Sequence, residues 1–324
     1  MTNAIEIRGL NKSFGTKKAV QSLDLDVPEG SLYGFIGPNG AGKSTTIRMI
    51  MSIIFPDSGE LRVLGKSSAV ESKDRIGYLP EERGIYKKMK VGAFLKYIAR
   101  LKGLDSAEAE KRTKEWLVRV GLADTYRKKC EELSKGMQQK VQFIAAVIHE
   151  PDLLILDEVF TGLDPENRRL MRELIREQND AGRTIIFSTH AMFEAEQLCD
   201  RLFMIRSGVK VLDMPLEEIW RTYDPKMVVV EPIDAADVSK PWGSLPGVKE
   251  MDETDGIIDL RLNEDADVGE LMRQAASLAR VRRIELKRPS LEDVFIELVG
   301  GDAAKLRQEL RSGPKNVPQE VARG

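Results

Sequence analysis

Cysteine is nearly missing from this sequence: 324 residues hold two, Cys130 and Cys199, too far apart for a CxxC pair. That excludes a disulfide framework and a thiolate zinc cluster, and it points to a reducing compartment, the cytoplasm. Neither sign of charge dominates. Fifty Lys and Arg against 52 Asp and Glu leave a formal charge of −2, without the basic excess that marks a dedicated nucleic-acid binder. No apolar run approaches the roughly 20 residues of a membrane-spanning helix. Stretches such as Met49–Phe55 and Leu153–Leu156 are short or interrupted. The first residues lack the basic-then-apolar layout of a signal peptide. If the protein acts at a membrane, a partner does the spanning. The acidic residues between Glu250 and Asp267 have no EF-hand spacing and read as a solvated face. Trp116, Trp220 and Trp242 read as packing residues.

What is present suits a soluble two-domain chain, with 42% hydrophobic and 31% charged residues. Ile5 and Ile7, then Leu23, Leu25 and Val27, alternate with polar residues, the period of half-buried antiparallel strands. Ser31–Ile36 is a short apolar strand running into a glycine-rich loop, and Lys43–Ile53 continues as a helix. Leu153–Leu156 and Ile185–Phe187 are apolar without alternation, as central strands of a parallel sheet are, with the helix Glu166–Asn179 between them. A helical insert occupies about residues 91–146. Arg201–Ile205 and Val209–Asp213 read as two edge strands. The expected fold is α/β, a parallel-centred core with an antiparallel β flank and a helical subdomain over residues 1–222. A small β-β-β-α-β domain follows over residues 223–300. Residues 301–324 are charged, hold Pro314 and Pro318, and read as a flexible tail.

Residues Gly37, Pro38, Asn39, Gly40, Ala41, Gly42, Lys43, Ser44 and Thr45 satisfy GxxxxGK[ST]. Glycines let successive backbone N–H groups turn inward around phosphate oxygens, and the following helix adds its N-terminal dipole. Lys43 reaches the β- and γ-phosphates and the Ser44 hydroxyl coordinates Mg²⁺. Leu153–Leu156 ends in the paired carboxylates Asp157 and Glu158, at the crevice end of the sheet. Asp157 there suits Mg²⁺, and Glu158 suits polarisation of an attacking water, as phosphoryl transfer requires. A second apolar strand ends in His190, one of only two histidines. Ser134 is a good N-cap for the helix that runs toward His149. Phe14, just after the first strand, suits either adenine stacking or core packing.

In order and content these motifs resemble the ABC ATPase family across about residues 4–213. The resemblance implies Phe14 as the adenine-stacking aromatic, Gly37–Thr45 as the P-loop, and Ser134, Gly136 and Gln138 within the signature motif. It also implies Asp157 and Glu158 as metal acid and catalytic base, Asp164 in the D-loop, and His190 as the switch histidine. Two such subunits would pair head to tail, each ATP lying between one P-loop and the other's signature. Glu81 stands where the family usually has the Q-loop glutamine; its carboxylate suits Mg²⁺ but repels a γ-phosphate. Lys135 and Met137 replace commoner signature residues, and Val159 replaces the usual proline. Leu79–Met89 and the Ser134–Met137 variant look like the sodium-efflux and drug-export branch. The region Pro225–Gly300, ending in Arg288–Phe295, resembles the small C-terminal domain those subunits carry.

The expectation is an ATPase using ATP and Mg²⁺, catalysed by Glu158, His190 and Lys43, with Ser44, Asp157 and Glu81 facing the metal. Its partners would be a transmembrane permease and a second ATPase subunit, with no nucleic acid, on the cytoplasmic face of the cell membrane. The competing expectation is a soluble ABC ATPase acting on ribosomes or DNA. Against it, the chain has neither a second ATPase unit nor coiled-coil heptads.

Overall fold

The structure, a computed structural model, describes residues 2–82, 84–224 and 226–300. The segment expected to be a flexible tail lies outside the described residues. These residues fall into two compact units. The first runs from the N-terminus through Leu216 and takes up the chain again from Phe295; the second is Glu217–Val294.

In chain order the first unit holds β1 (Asn3–Phe14), β2 (Lys17–Pro28), β3 (Leu32–Ile36), α1 (Lys43–Ile50), β4 (Ser58–Val63) and β5 (Ile76–Leu79). There follow α2 (Val91–Leu101), α3 (Ser106–Arg119), α4 (Lys135–Val147), β6 (Leu153–Asp157) and α5 (Pro165–Asp180). Then come β7 (Thr184–Thr189), α6 (Met192–Leu198), β8 (Arg201–Arg206) and β9 (Val209–Pro215). β1, β2 and β4 form an antiparallel flank in the order β2-β1-β4. Six strands form the central sheet in the order β5-β6-β7-β3-β8-β9, parallel except for the β8–β9 pair.

The alternation of β1 and β2 has its reason here. Ile5, Ile7, Leu23, Leu25 and Val27 turn inward to share one apolar core with Tyr33, Phe35 and Ile155 of the sheet and Ile47 of α1. Central β3, β6 and β7 are buried at every position, which is why their sequences do not alternate. One expectation is corrected. β8 is internal, paired in parallel with β3, and only β9 closes that edge. The local pattern of Arg201–Ile205 gave no sign of this, because a crossover sets strand order, not periodicity. The helix after the phosphate loop also stops at Ile50, three residues short of expectation, with Ser52 in the left-handed region.

The second unit opens on α7 (Leu216–Thr222), so the division falls six residues before the expected boundary. It continues through β10 (Met227–Pro232), β11 (Val248–Thr254), β12 (Ile257–Leu262), α8 (Val268–Leu278) and β13 (Val281–Leu286), and the chain reaches α9 (Leu291–Val299). The four strands form an antiparallel sheet in the order β11-β12-β10-β13. Val228, Val230, Ile258 and Leu260 on one face pack with Trp242 and with Leu271 and Ala275 of α8. Trp242 is fully buried, and its indole N–H donates to the Asp237 carbonyl at 2.9 Å.

Candidate functional site

Strand order alone brings three loops together. β6, β7 and β3 are neighbours running the same way, with Asp157 opposite Ser188 and Ile36 opposite Thr189. The loops leaving their C-terminal ends therefore open side by side: the phosphate loop, the Asp157-Glu158 corner and the His190 corner.

In the phosphate loop two glycines are dictated by space. A Cβ on Gly37 would run into the Ile205 carbonyl oxygen, and one on Gly42 would lie 2.6 Å from that of Ala19. Gly42 also takes a φ of 118° as it leads into α1. Lys43 begins that helix with only 6% of its surface exposed. Its Nζ curls back to donate to the carbonyls of Gly37 at 2.6 Å and Pro38 at 3.3 Å. Burial lowers its pKa, and the charges of Glu158, Asp157 and Glu81 oppose that shift. Thr46 Oγ1 donates to the Gly42 carbonyl at 3.0 Å and pins the first helical turn. The loop is thus a rigid cradle with a buried ammonium at its base.

Asp157 is 2% exposed, and its Oδ1 has no hydrogen-bond partner. Burial raises its pKa to about 6; the charges of Glu158 and Glu81 add to the rise, while Ser188 and Lys43 oppose it. A buried carboxylate with an unused oxygen, beside a loop carrying the Ser44 hydroxyl, is a donor set that fits Mg²⁺. Glu158 sits at φ 52°, a strained position for a residue with a side chain. Its N–H donates to the Ser188 carbonyl at 2.9 Å, which fixes the corner. Its Oε1 accepts from the His190 backbone N–H at 3.0 Å and lies 2.8 Å from His190 Nδ1. That hydrogen bond raises the His190 pKa against the effect of burial. With Nδ1–H committed to the carboxylate, protonation leaves Nε2–H as a donor for an anion.

The remaining expected residues are placed as follows. Phe14 ends β1 with half its surface exposed and Lys12 Nζ 5.5 Å above its ring, so it is an open platform and not a core residue. Ser134 caps α4, accepting from the Met137 N–H at 3.3 Å. Gln138 donates to the carbonyls of Cys130 and Leu133 at 3.2 and 3.1 Å, bracing its own loop. Gly136 faces Leu163, and Asp164 caps α5 by accepting from Asn167. Glu81 is exposed beyond β5 and reaches Lys43, Asp157 and His190 through its charge. Among the described residues no three His, Cys, Asp or Glu side chains are grouped so as to hold a metal ion, so Glu81 forms no such group with Asp157 and Glu158. Gln139 was not expected at the site. It is 6% exposed and donates to the Val159 carbonyl at 3.1 Å, tying the signature helix to the loop behind Glu158. Its position in a motif of polar residues carried no signal of that role.

Residues 20–161 match the family profile described as ABC transporter, and residues 215–299 the ATP-binding protein DrrA1-3-like C-terminal domain. A further profile, described as AAA domain, putative AbiEii toxin, Type IV TA system, matches residues 129–195. The chain is 42% identical over 296 residues to the "uncharacterized ABC transporter ATP-binding protein YhaQ" of Bacillus subtilis (strain 168), covering 91% of this chain and 98% of that one. It is 34% identical over 312 residues to the daunorubicin/doxorubicin resistance ATP-binding protein DrrA of Streptomyces peucetius, covering 93% and 94%. A solved structure titled "Structure of ATP binding subunit of ABC transporter" superposes with a TM-score of 0.63 at 30% identity, covering 68% of this chain and 93% of that one.

Proposed function

The chain belongs to the ABC transporter ATP-binding proteins, and from that premise we propose that it is the motor of an exporter, driving a separate transmembrane permease from the cytoplasmic face of the membrane. It binds and hydrolyses ATP. What supports the reading is the gathering of Lys43, Asp157, Glu158 and His190 around one phosphate cradle. No described helix is long and apolar enough to cross a membrane, so a partner would span it.

The chemistry follows from the geometry. On ATP binding, Lys43 leaves the Gly37 and Pro38 carbonyls for the β- and γ-phosphates, a better partner for a buried cation. Phe14 carries the adenine on its open face. Asp157 and Ser44 would hold Mg²⁺, which neutralises the charge that develops as the γ-phosphoryl departs. Glu158, held off the strand by its left-handed backbone and by His190, accepts the proton of the attacking water. His190 as an imidazolium would donate Nε2–H to the γ-phosphate and Nδ1–H to Glu158, so it senses both nucleotide and base. Ser134 and Gly136 would close over the ATP of a second subunit, so that binding assembles the dimer and hydrolysis opens it. The groove beside the helical subdomain would take the permease.

The cargo we infer is a small organic molecule, since a relative of nearly equal span is named for daunorubicin/doxorubicin resistance. Sodium stays as the alternative cargo. Glu158→Gln should abolish turnover while leaving ATP bound, and unchanged turnover would overturn the role given to Glu158. The partner is tested by expressing this variant in its own cell and purifying it with ATP from gently solubilised membranes. A stoichiometric multi-span membrane protein is expected. Recovery only from the soluble fraction, with ribosomes or nucleic acid attached, would overturn the permease reading.

A further inference from the structure

Positive charge is unevenly placed along this chain. Residues 84–104 hold six Lys and Arg and no Asp or Glu, although the whole sequence carries a formal charge of −2. A second basic run, Arg127-Lys128-Lys129, follows beyond α3. The fold sets the two side by side. The Val91 N–H donates to the Lys128 carbonyl and the Cys130 N–H to that of Met89, both at 2.9 Å, and Lys90 stands directly opposite Lys129 as an antiparallel pair. Like charges facing each other across such a pair are destabilising, so the juxtaposition works against the fold.

Only some of these cations are neutralised within the chain. Lys96 pairs with Glu110 at 2.6 Å, Lys128 with Asp124 at 3.0 Å and Lys129 with Glu131 at 3.6 Å, while Lys102 turns to the Ile76 carbonyl at 2.8 Å. Lys87, Lys88, Lys90, Arg100 and Arg127 are all exposed, and among the described residues none of them has an ion pair. The remainder of the chain is therefore more acidic than the whole. Apolar side chains are interleaved with the free cations. Tyr86 is 54%, Tyr97 43% and Leu101 58% exposed, and Tyr86 packs edge-on against Tyr97 at a centroid distance of 6.0 Å. Beside them lies an open hollow of about 530 Å³, lined by Ala93, Lys96, Tyr97, Arg100 and Leu101 of α2 and by Ser106 of α3.

We propose that this basic and aromatic face of the helical subdomain binds the anionic lipid headgroups of the membrane's cytoplasmic leaflet, so that the subunit has a hold on lipid of its own. Free cations are drawn to a negatively charged leaflet, and each contributes about a fivefold gain in binding. Lys and Arg stems lie along apolar surface while their charged heads stay in water, and tyrosine settles at the level of the headgroups. Tyr86, Tyr97 and Leu101 supply that shallow apolar contact, and the hollow beside Arg100 gives a headgroup room. A nucleic acid would meet the cations but give Leu101 no partner, and the chain lacks the basic excess of a nucleic-acid binder. The acidic remainder of the chain is repelled by the same leaflet, which favours a single orientation. The inference rests on the reading that the chain works at a membrane, and not on its having a permease.

The full-length subunit, purified without any membrane partner, is tested by sedimentation with two kinds of vesicle: phosphatidylcholine alone, and phosphatidylcholine mixed with phosphatidylglycerol. It should bind the mixed vesicles and not the neutral ones, and binding should fall steeply as salt is raised. Lys87→Gln with Lys88→Gln should weaken binding about 25-fold, while melting temperature and turnover in solution stay as they are. Tyr97→Ser keeps the charge and should weaken the binding that survives at high salt, where the apolar contact is what remains. Lys249→Gln with Arg273→Gln removes the same charge from the second unit and should leave binding unchanged. Equal binding to both vesicles, or to neither, overturns the inference, and so does a Lys87→Gln/Lys88→Gln variant that binds as tightly as the parent. It fails too if the second-unit variant weakens binding equally, which would trace the effect to net charge. A short DNA duplex that displaces the mixed vesicles through the same lysines would give the face to nucleic acid and overturn it as well. After any of these failures, a permease recovered with Glu158→Gln leaves the permease reading standing. Vesicle binding with no permease recovered would sink that reading and keep this inference.

Discussion

The two histidines face opposite pressures, and that difference is measurable. His149 is buried beside Lys102 with a pKa of about 4, while the Glu158 carboxylate raises that of His190. In the nucleotide-free protein an NMR titration should show one imidazole titrating near pH 4 and the other above the ordinary value. A raised folded-state pKa means the Glu158–His190 pair contributes its full stability below about pH 6.5, and loses it as pH rises through the higher folded value. Glu158→Gln should bring the His190 midpoint down; a midpoint that stays put would detach the two residues. Asp157 works against the fold. Its folded pKa of about 6 exceeds the ordinary carboxylate value of 3.8, so the cost is full above pH 6 and gone below about pH 4. Asp157→Asn should therefore stabilise the nucleotide-free protein at pH 8 by on the order of 2–3 kcal/mol, while destroying turnover. Thermal melts at pH 8 and pH 4.5 check this, since the gain must shrink at the lower pH. An equal gain at both would mean that charge burial is not its source.

Among the elements, α4 joins more than its capped start suggested. Ser134 at its N-terminus, Gln138 on its loop and Gln139 against the Val159 carbonyl fasten it to the signature loop and to the corner behind Glu158. Gln139→Leu leaves that carbonyl buried and unpaired, which should cost about 1–2 kcal/mol in urea denaturation. It should also lower turnover by loosening the corner that aims Glu158. An unchanged urea midpoint would show the carbonyl finding another partner. The sequence announced the ends of β3, β6 and β7, because a glycine cradle, paired acids and a strand-end histidine are each rare and ordered along the chain. It also announced the alternating flank and the unalternating core, whose periods follow directly from which faces are buried. Gln139 and His149 were silent, since a side chain that reaches across to another element's backbone leaves no period behind it. The internal place of β8 was silent for a related reason: short edge and internal strands read alike, and only the crossover order separates them. Phe14 was undecided in sequence between platform and core, and its half-exposed ring decides for the platform.

At the scale of the whole chain, each unit has a core of its own, one around Tyr33, Phe35 and Ile155 and the other around Trp242, Ile258 and Leu271. The nucleotide residues all lie in the first. Ligand binding stabilises only the cooperative unit that holds the site, by about 2.7 kcal/mol when free ligand is a hundredfold above its dissociation constant. Trp116 and Trp242 report on different units, being in α3 and in the second core. Two single-tryptophan versions of Glu158→Gln, one keeping Trp116 and one keeping Trp242, would follow each unit in denaturant. With MgATP, the Trp116 transition should move to higher denaturant, and the Trp242 transition should stay where it is without nucleotide. If both move together by the same amount, the two cores unfold as one. ATP energy would then reach the C-terminal unit directly, and that unit would belong to the motor, not merely accompany it.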